Sequence, residues 1–168
     1  METLSVSSKL GKAGLGFFLR EAHRAYTKEL EAGFAAHRIT PLQFTFLWIL
    51  SIEENLSQVE LAQRAGITRA SATDDIEALK SRKLIRGRRD ATDKRKIILS
   101  MTAAGNDMVT RLADHAAVTN TTARGELSKQ AYRQLFDLLA QVTSNLNAAS
   151  KQRAAEIAHE DEPAEAAR

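Results

Sequence analysis

The stretch Leu56-Ser57-Gln58-Val59-Glu60-Leu61-Ala62-Gln63-Arg64-Ala65-Gly66-Ile67-Thr68 constrains the fold of this chain more than any other. Ser57 as N-cap and Glu60 at N3 make a capping box, with Leu56 placed to staple onto Leu61, so a helix begins at Ser57. It must be short, because Gly66 can take the left-handed conformation that ends a helix without strain. Thr68 then caps a second helix, whose apolar positions Ala72, Ile76 and Leu79 lie within about 60° of one another at 100° per residue. Two helices joined by a tight glycine turn form a helix-turn-helix.

The flanking sequence extends this unit in both directions. From Ala13 to about Ala36, Leu15, Leu19, Ala22, Tyr26 and Leu30 mark one stripe of a long helix. In Ile39-Thr40-Pro41-Leu42-Gln43-Phe44 a second capping box starts a helix at Thr40, with Pro41 at N1 and Gln43 at N3. That helix is apolar nearly all round, which predicts cover on both sides. After Lys83 the period changes: Ile85 to Arg89 and Lys96 to Met101 read as an antiparallel hairpin with a solvated tip. Thr102 caps a helix through about Arg124, with Met108, Leu112 and Ala116 on one face, and Leu127-Ser128 starts a last helix. There Tyr132, Leu135, Leu139, Val142 and Leu146 alternate steps of three and four, a seam that a single helix cannot bury alone. Beyond Ala149 the apolar period stops, and the expectation is a frayed helix or a disordered tail.

Composition removes several function classes. The chain has 168 residues, 43% hydrophobic and 27% charged, enough for one ordinary domain, or for one domain plus elements completed only by a partner chain. It lacks cysteine, so disulfides, thiolate metal sites and thiol switches are excluded. No apolar run approaches the roughly 20 residues that span a bilayer, and no signal peptide is evident, so a cytoplasmic location without membrane partners is expected. His23, His37, His115 and His159 lack metal-ligand spacing, and neither a phosphate-binding glycine loop nor a nucleophile motif is present. No enzyme, cofactor or metal is expected.

Net charge is only +3, but its distribution is uneven. Between Arg64 and Lys96 stand eleven basic residues against five acidic ones, the footprint of a phosphate-backbone binder. The second helix of the helix-turn-helix is narrow enough for the major groove, and the tip of the basic hairpin can reach phosphates or the minor groove. Candidate DNA contacts are Thr68, Arg69, Ser71, Thr73 and Asp74 on the helix and Arg88, Asp93, Lys94 and Arg95 on the hairpin.

The ordered set of these segments resembles the MarR family of winged-helix transcriptional regulators over about residues 12 to 147. The most specific pieces are Asp93-Lys94-Arg95 and the run Leu99-Ser100-Met101-Thr102-Ala103-Ala104-Gly105. The fold class expected is mainly α (α+β). Its parts are an N-terminal dimerisation helix (1–36), a winged helix-turn-helix (37–101), C-terminal dimerisation helices (102–148) and an acidic, disordered tail (149–168). The resemblance implies a homodimer that binds double-stranded DNA at a palindromic operator. It further implies that Arg95 enters the minor groove, steadied by a salt bridge from Asp93. Where the family usually has glycine this chain has Lys83, so a left-handed lysine is expected, at roughly 1 kcal/mol. Position 74, often basic in the family, is Asp74.

Family members commonly bind small aromatic acids or phenols, and Arg20, His23, His37, Phe44 and Trp48 are the residues expected to wall such a site. Cationic and imidazole groups on apolar walls suit an aromatic carboxylate. For His23, satisfaction by a neighbouring carbonyl is the commoner outcome, and Trp48 is expected in the core before it is expected against a ligand. The function implied is a ligand-responsive repressor. The alternative is a winged-helix protein-interaction module without sequence-specific DNA binding. On the helical wheel Asp74 lies almost opposite the core stripe, where it either accepts a hydrogen bond from cytosine N4 or stands solvated. Asp75 lies near the edge of the buried face, where packing or a pair with an arginine is expected.

Overall fold

Side-chain caps set the helix boundaries of the central region, as local sequence requires. A computed structural model of the chain describes residues 14–160, with side-chain surroundings through Ile157. Helix α1 spans Leu15–Phe34 and runs into a 3-10 turn, Ala35–His37, and α2 spans Pro41–Ile52. Strand β1 is Leu56–Ser57, α3 Gln58–Arg64, α4 Arg69–Ser81, β2 Ile85–Arg89, β3 Ile97–Met101 and α5 Ala103–Arg124. Both capping boxes close in full: Thr40 with Gln43 and Ser57 with Glu60. Gly66 takes φ +71 between α3 and α4, and the Thr68 hydroxyl accepts from the Ser71 N–H.

One apolar cluster joins these elements. Phe34, Phe46, Leu47, Leu50, Leu61, Ile76, Leu79, Leu99 and Leu112 are fully buried. Burying an aliphatic or aromatic side chain of this kind is worth roughly 1.5–3 kcal/mol, so the cluster carries most of the stability of the lobe. The stripe Ala72, Ile76 and Leu79 packs α4 inward, as its spacing predicts. On α5, Leu112 is buried and Met108 and Ala116 pack against the core.

The sheet has the order β1-β3-β2, all antiparallel, with Ile85 opposite Met101 and Leu56 opposite Leu99. Sequence periodicity missed β1, which at two residues is too short to show an alternation. Lys83 adopts φ 58, the left-handed conformation expected where the family has glycine. The hairpin is hooked to α5 by Thr102, whose hydroxyl donates to the carbonyls of Lys83 and Leu84 and accepts from the Gly105 N–H. A Cβ on Gly105 would stand 2.1 Å from the Leu84 carbonyl oxygen, so this approach is open only to glycine.

Two compact units result, one ending at Ala123 and the other beginning at Arg124. The second consists of the turn Arg124–Ser128 and one long helix, α6, Lys129–Glu160, with Ser128 accepting from the Ala131 N–H. Of the two expectations for the stretch after Ala149, a frayed helix or a disordered tail, helix is found through Glu160. Ala, Gln, Lys, Arg and Glu in this stretch are strong helix formers and sustain the helix without burial. The part of the expected tail from 161 to 168 lies outside the described residues. Along α6, Leu135, Leu139 and Leu146 of the seam are exposed within this chain, as are Phe136 and Leu138. No helix among the described residues is long and apolar enough to cross a membrane.

Candidate nucleic-acid interface

Helix α4 presents its outer face through Arg69, Ser71, Thr73 and Asp74, all exposed. Its N-terminus is organised from within: the Thr68 and Ser71 hydroxyls lie 2.9 Å apart, and the Thr73 hydroxyl donates to the Arg69 carbonyl. Three of the candidate contacts thus have local partners that fix their rotamers, while Arg69 and Asp74 project. Asp75, one residue on, turns inward. Its Oδ1 accepts from the Gln43 Nε2 at 2.8 Å and the Thr40 hydroxyl at 3.5 Å. Packing or a pair with an arginine is the expectation for Asp75; the structure packs it against the start of α2, where an amide from α2 and the hydroxyl of its N-cap reach the carboxylate without adding a charge.

The basic residues sort into two groups. Arg64 pairs with Glu53 and Lys80 with Glu77, Arg86 donates to the Ser100 hydroxyl, and Arg82 donates to the carbonyls of His37 and Arg38. Arg69, Lys83, Arg88, Arg89, Lys94, Arg95 and Lys96 are exposed and form no ion pair with any described residue. The second group is therefore the one available to phosphate. It runs from the start of α4 through the hairpin.

The wing tip between β2 and β3 is built on Asp90, which the sequence reading left aside. Asp90 Oδ1 accepts from the Thr92 N–H and the Asp93 N–H, each at 2.8 Å, and from the Thr92 hydroxyl. With these donors its carboxyl is held at about 2, below the usual 3.8, the Thr92 hydroxyl being the largest cause. Backbone bonds from the Asp90 N–H to the Lys96 carbonyl and from the Lys96 N–H to the Asp93 carbonyl close the loop. The signal was present, since aspartate followed by a threonine two positions on is an Asx-turn pattern. Asp93 also departs from expectation. It accepts from the Arg95 backbone N–H at 3.0 Å, and no ion pair between the two side chains occurs among the described residues. Asp93 shapes the tip, and the Arg95 guanidinium is left extended into solvent.

The candidate ligand residues lie on α1, the 3-10 turn and α2. Phe44 packs on Phe34 with ring centroids 4.9 Å apart, His37 lies 6.0 Å from the His115 ring, and Arg20 stands 5.7 Å over Phe17. His23 is exposed. Trp48 is not a core residue: it is 52% exposed on the open side of α2, beside Ile52 at 62%. An all-apolar helix shows that several sides are covered, but not which side stays open. Among the described residues no ring contact or hydrogen bond joins any two of these five.

A glycine-turned helix pair, an antiparallel basic hairpin and an outward row of cations together define a winged helix-turn-helix DNA-binding protein. Residues 38–96 match the model of the MarR family. The chain is 26% identical over 114 residues to the transcriptional repressor NicR of Pseudomonas putida, covering 68% of this chain and 72% of that one. It is similar to the transcriptional repressor CouR bound to a 23-mer DNA duplex, with 26% identity, a TM-score of 0.73, and 80% and 95% of the two chains covered. It is also similar to BpsR of Bordetella bronchiseptica, whose DNA binding is regulated by 6-hydroxynicotinic acid, with 25% identity, a TM-score of 0.72, and 77% and 92% covered. Residues 38–96 thus carry the winged helix-turn-helix that the MarR family model describes, and the transcriptional repressors and regulators to which the chain is similar share its fold.

Proposed function

We propose that the chain is a repressor that binds a palindromic operator as a homodimer and is released by a small aromatic acid or phenol. The observation that carries this reading is the split among its cations: Arg69, Arg88, Arg89, Lys94, Arg95 and Lys96 are exposed and form no ion pair with described residues, while Arg64, Lys80, Arg82 and Arg86 are engaged by neighbouring side chains or carbonyls. In this reading α4 enters the major groove, with Thr68, Arg69, Ser71, Thr73 and Asp74 at the contact. Arg88, Lys94 and Arg95 grip the backbone or the minor groove, and Asp93 shapes the tip. Arginine suits a narrow groove because its guanidinium is weakly hydrated and always charged.

The α6 seam Tyr132, Leu135, Leu139, Val142 and Leu146, spaced in threes and fours and with its three leucines exposed, supports a second copy as the partner. Effector release draws support from BpsR, whose ligand is an aromatic acid, and from the imidazole, guanidinium and aromatic groups on α1 and α2. Arg20, His23, His37, Phe44 and Trp48 are the residues assigned to that site. Asp74 is assigned a part in selectivity: it repels phosphate and accepts from cytosine N4, so it lowers general affinity while favouring one base. Gel shift of the full chain on its own promoter region, against a scrambled duplex of equal length, tests the reading. Preference for the promoter at physiological salt, weakened by 6-hydroxynicotinate or a related aromatic acid, is the expected result. Equal, weak binding of both duplexes would return the chain to the class of protein-interaction modules.

A further inference from the structure

Besides its apolar stripe, α4 is fastened by two polar contacts, and both come from the same short segment, His37 to Gln43. At its C-cap the Arg82 guanidinium donates Nη2 to the His37 carbonyl at 2.9 Å and Nη1 to the Arg38 carbonyl. Arg38 has φ 51, a left-handed conformation that a non-glycine residue keeps only when its surroundings fix it. Two charge-assisted bonds to the carbonyls of that turn are such a fixture. At mid-helix Asp75 accepts from Gln43 Nε2. Gln43 is 8% exposed, and its Oε1 also accepts from the Thr40 N–H at 3.3 Å, so both ends of the amide are used. A capping box works with glutamate or glutamine at N3, but here only the amide serves, because a second carboxylate would face Asp75.

We propose that His37–Gln43 is a positioning unit for the recognition helix, with Arg82, Asp75 and Gln43 setting its angle to the groove while touching no DNA. The inference rests on the reading that α4 enters the groove. It separates Arg82 from the exposed cations of its stretch that form no ion pair, and Asp75 from Asp74. A phosphate contact and a positioning residue leave different signatures: losing the first lowers the salt slope of binding by about 1, and losing the second leaves the slope and blunts sequence preference.

The test uses the full chain in fluorescence anisotropy titrations at several salt concentrations. One duplex is selected by the wild-type chain from a randomised pool, and the other is a scrambled duplex of equal length. Gln43→Glu keeps the capping box, and its preference for the selected duplex should fall about tenfold or more, with scrambled-duplex affinity unchanged. Adding Asp75→Asn should restore the preference to within about threefold, since the new amide donates to the new carboxylate. Arg82→Ala should lower preference with the salt slope intact. A slope lower by about 1 on both duplexes would make Arg82 a phosphate contact and overturn its role. Wild-type preference in Gln43→Glu, or no recovery in the double variant, would overturn the roles of Gln43 and Asp75. The double variant decides the matter even where a single variant fails to fold. A wild-type chain that prefers no sequence would defeat the function reading first, a result distinct from any variant failing on its own.

Discussion

Helix α4 and the wing tip carry the candidate DNA contacts between them, and they are stabilised over very different chain distances. The polar bonds that fasten α4 reach back 32 to 45 residues, to the N-terminus of α2 and the turn before it. The bonds of the tip stay within Asp90–Lys96. A helix tied to the core can present side chains at a fixed angle, as base reading requires; a tip tied only to itself can move as a body and follow the phosphates. In the proposed function this division gives base reading to α4 and grip to the wing.

The strongest way to break that division is to unhook the hairpin from α5. Gly105→Ala places a methyl against the Leu84 carbonyl and should cost roughly 3–5 kcal/mol of stability, measured by denaturant unfolding. Arg95→Ala removes grip without touching the core: affinity should fall roughly 10- to 100-fold on any duplex, with the size-exclusion profile unchanged. A monomeric Arg95→Ala profile beside a dimeric wild type would contradict a role for Arg95 confined to gripping DNA.

Asp90→Ala loosens the tip while leaving every cation in place, so affinity should fall about three- to tenfold with the salt slope preserved. The pH dependence has a definite sign. Because the folded Asp90 carboxyl sits at about 2, below 3.8, its contribution is complete above 3.8 and is lost as pH falls through that window. Tip amide signals in NMR should broaden there before those of α4. The smallest effect belongs to Asp74→Ala, which should raise scrambled-duplex affinity about threefold and flatten preference at one operator position. Unchanged values for both would leave Asp74 as a solvated side chain.

What the sequence made legible was local. Caps at Thr40, Ser57, Thr68, Thr102 and Ser128, the glycine stop at Gly66 and the stripe Ala72-Ile76-Leu79 all act within one or two helical turns, and a linear pattern records them. The left-handed Lys83 was legible through family resemblance. Partners of Asp75 and Arg82 were not, because nothing in a linear pattern joins positions so far apart. The open side of α2 at Trp48 was hidden for a related reason: hydrophobicity all round a helix carries no direction. Asp90 differs from these, since its local turn pattern was available, and the charge count around it drew attention to its neighbours instead.

Amide hydrogen exchange of the full chain, with and without a duplex selected by the wild-type protein, tests the central claim most directly. Without DNA, α4 amides should be protected like those of α2, while tip amides between Ala91 and Lys96 exchange much faster. With the selected duplex, protection should rise at the N-terminal half of α4 and at the wing tip, and a scrambled duplex should protect the tip alone. Protection by DNA confined to α6, or equal protection of α4 by both duplexes, would contradict the assignment of reading to α4 and grip to the wing.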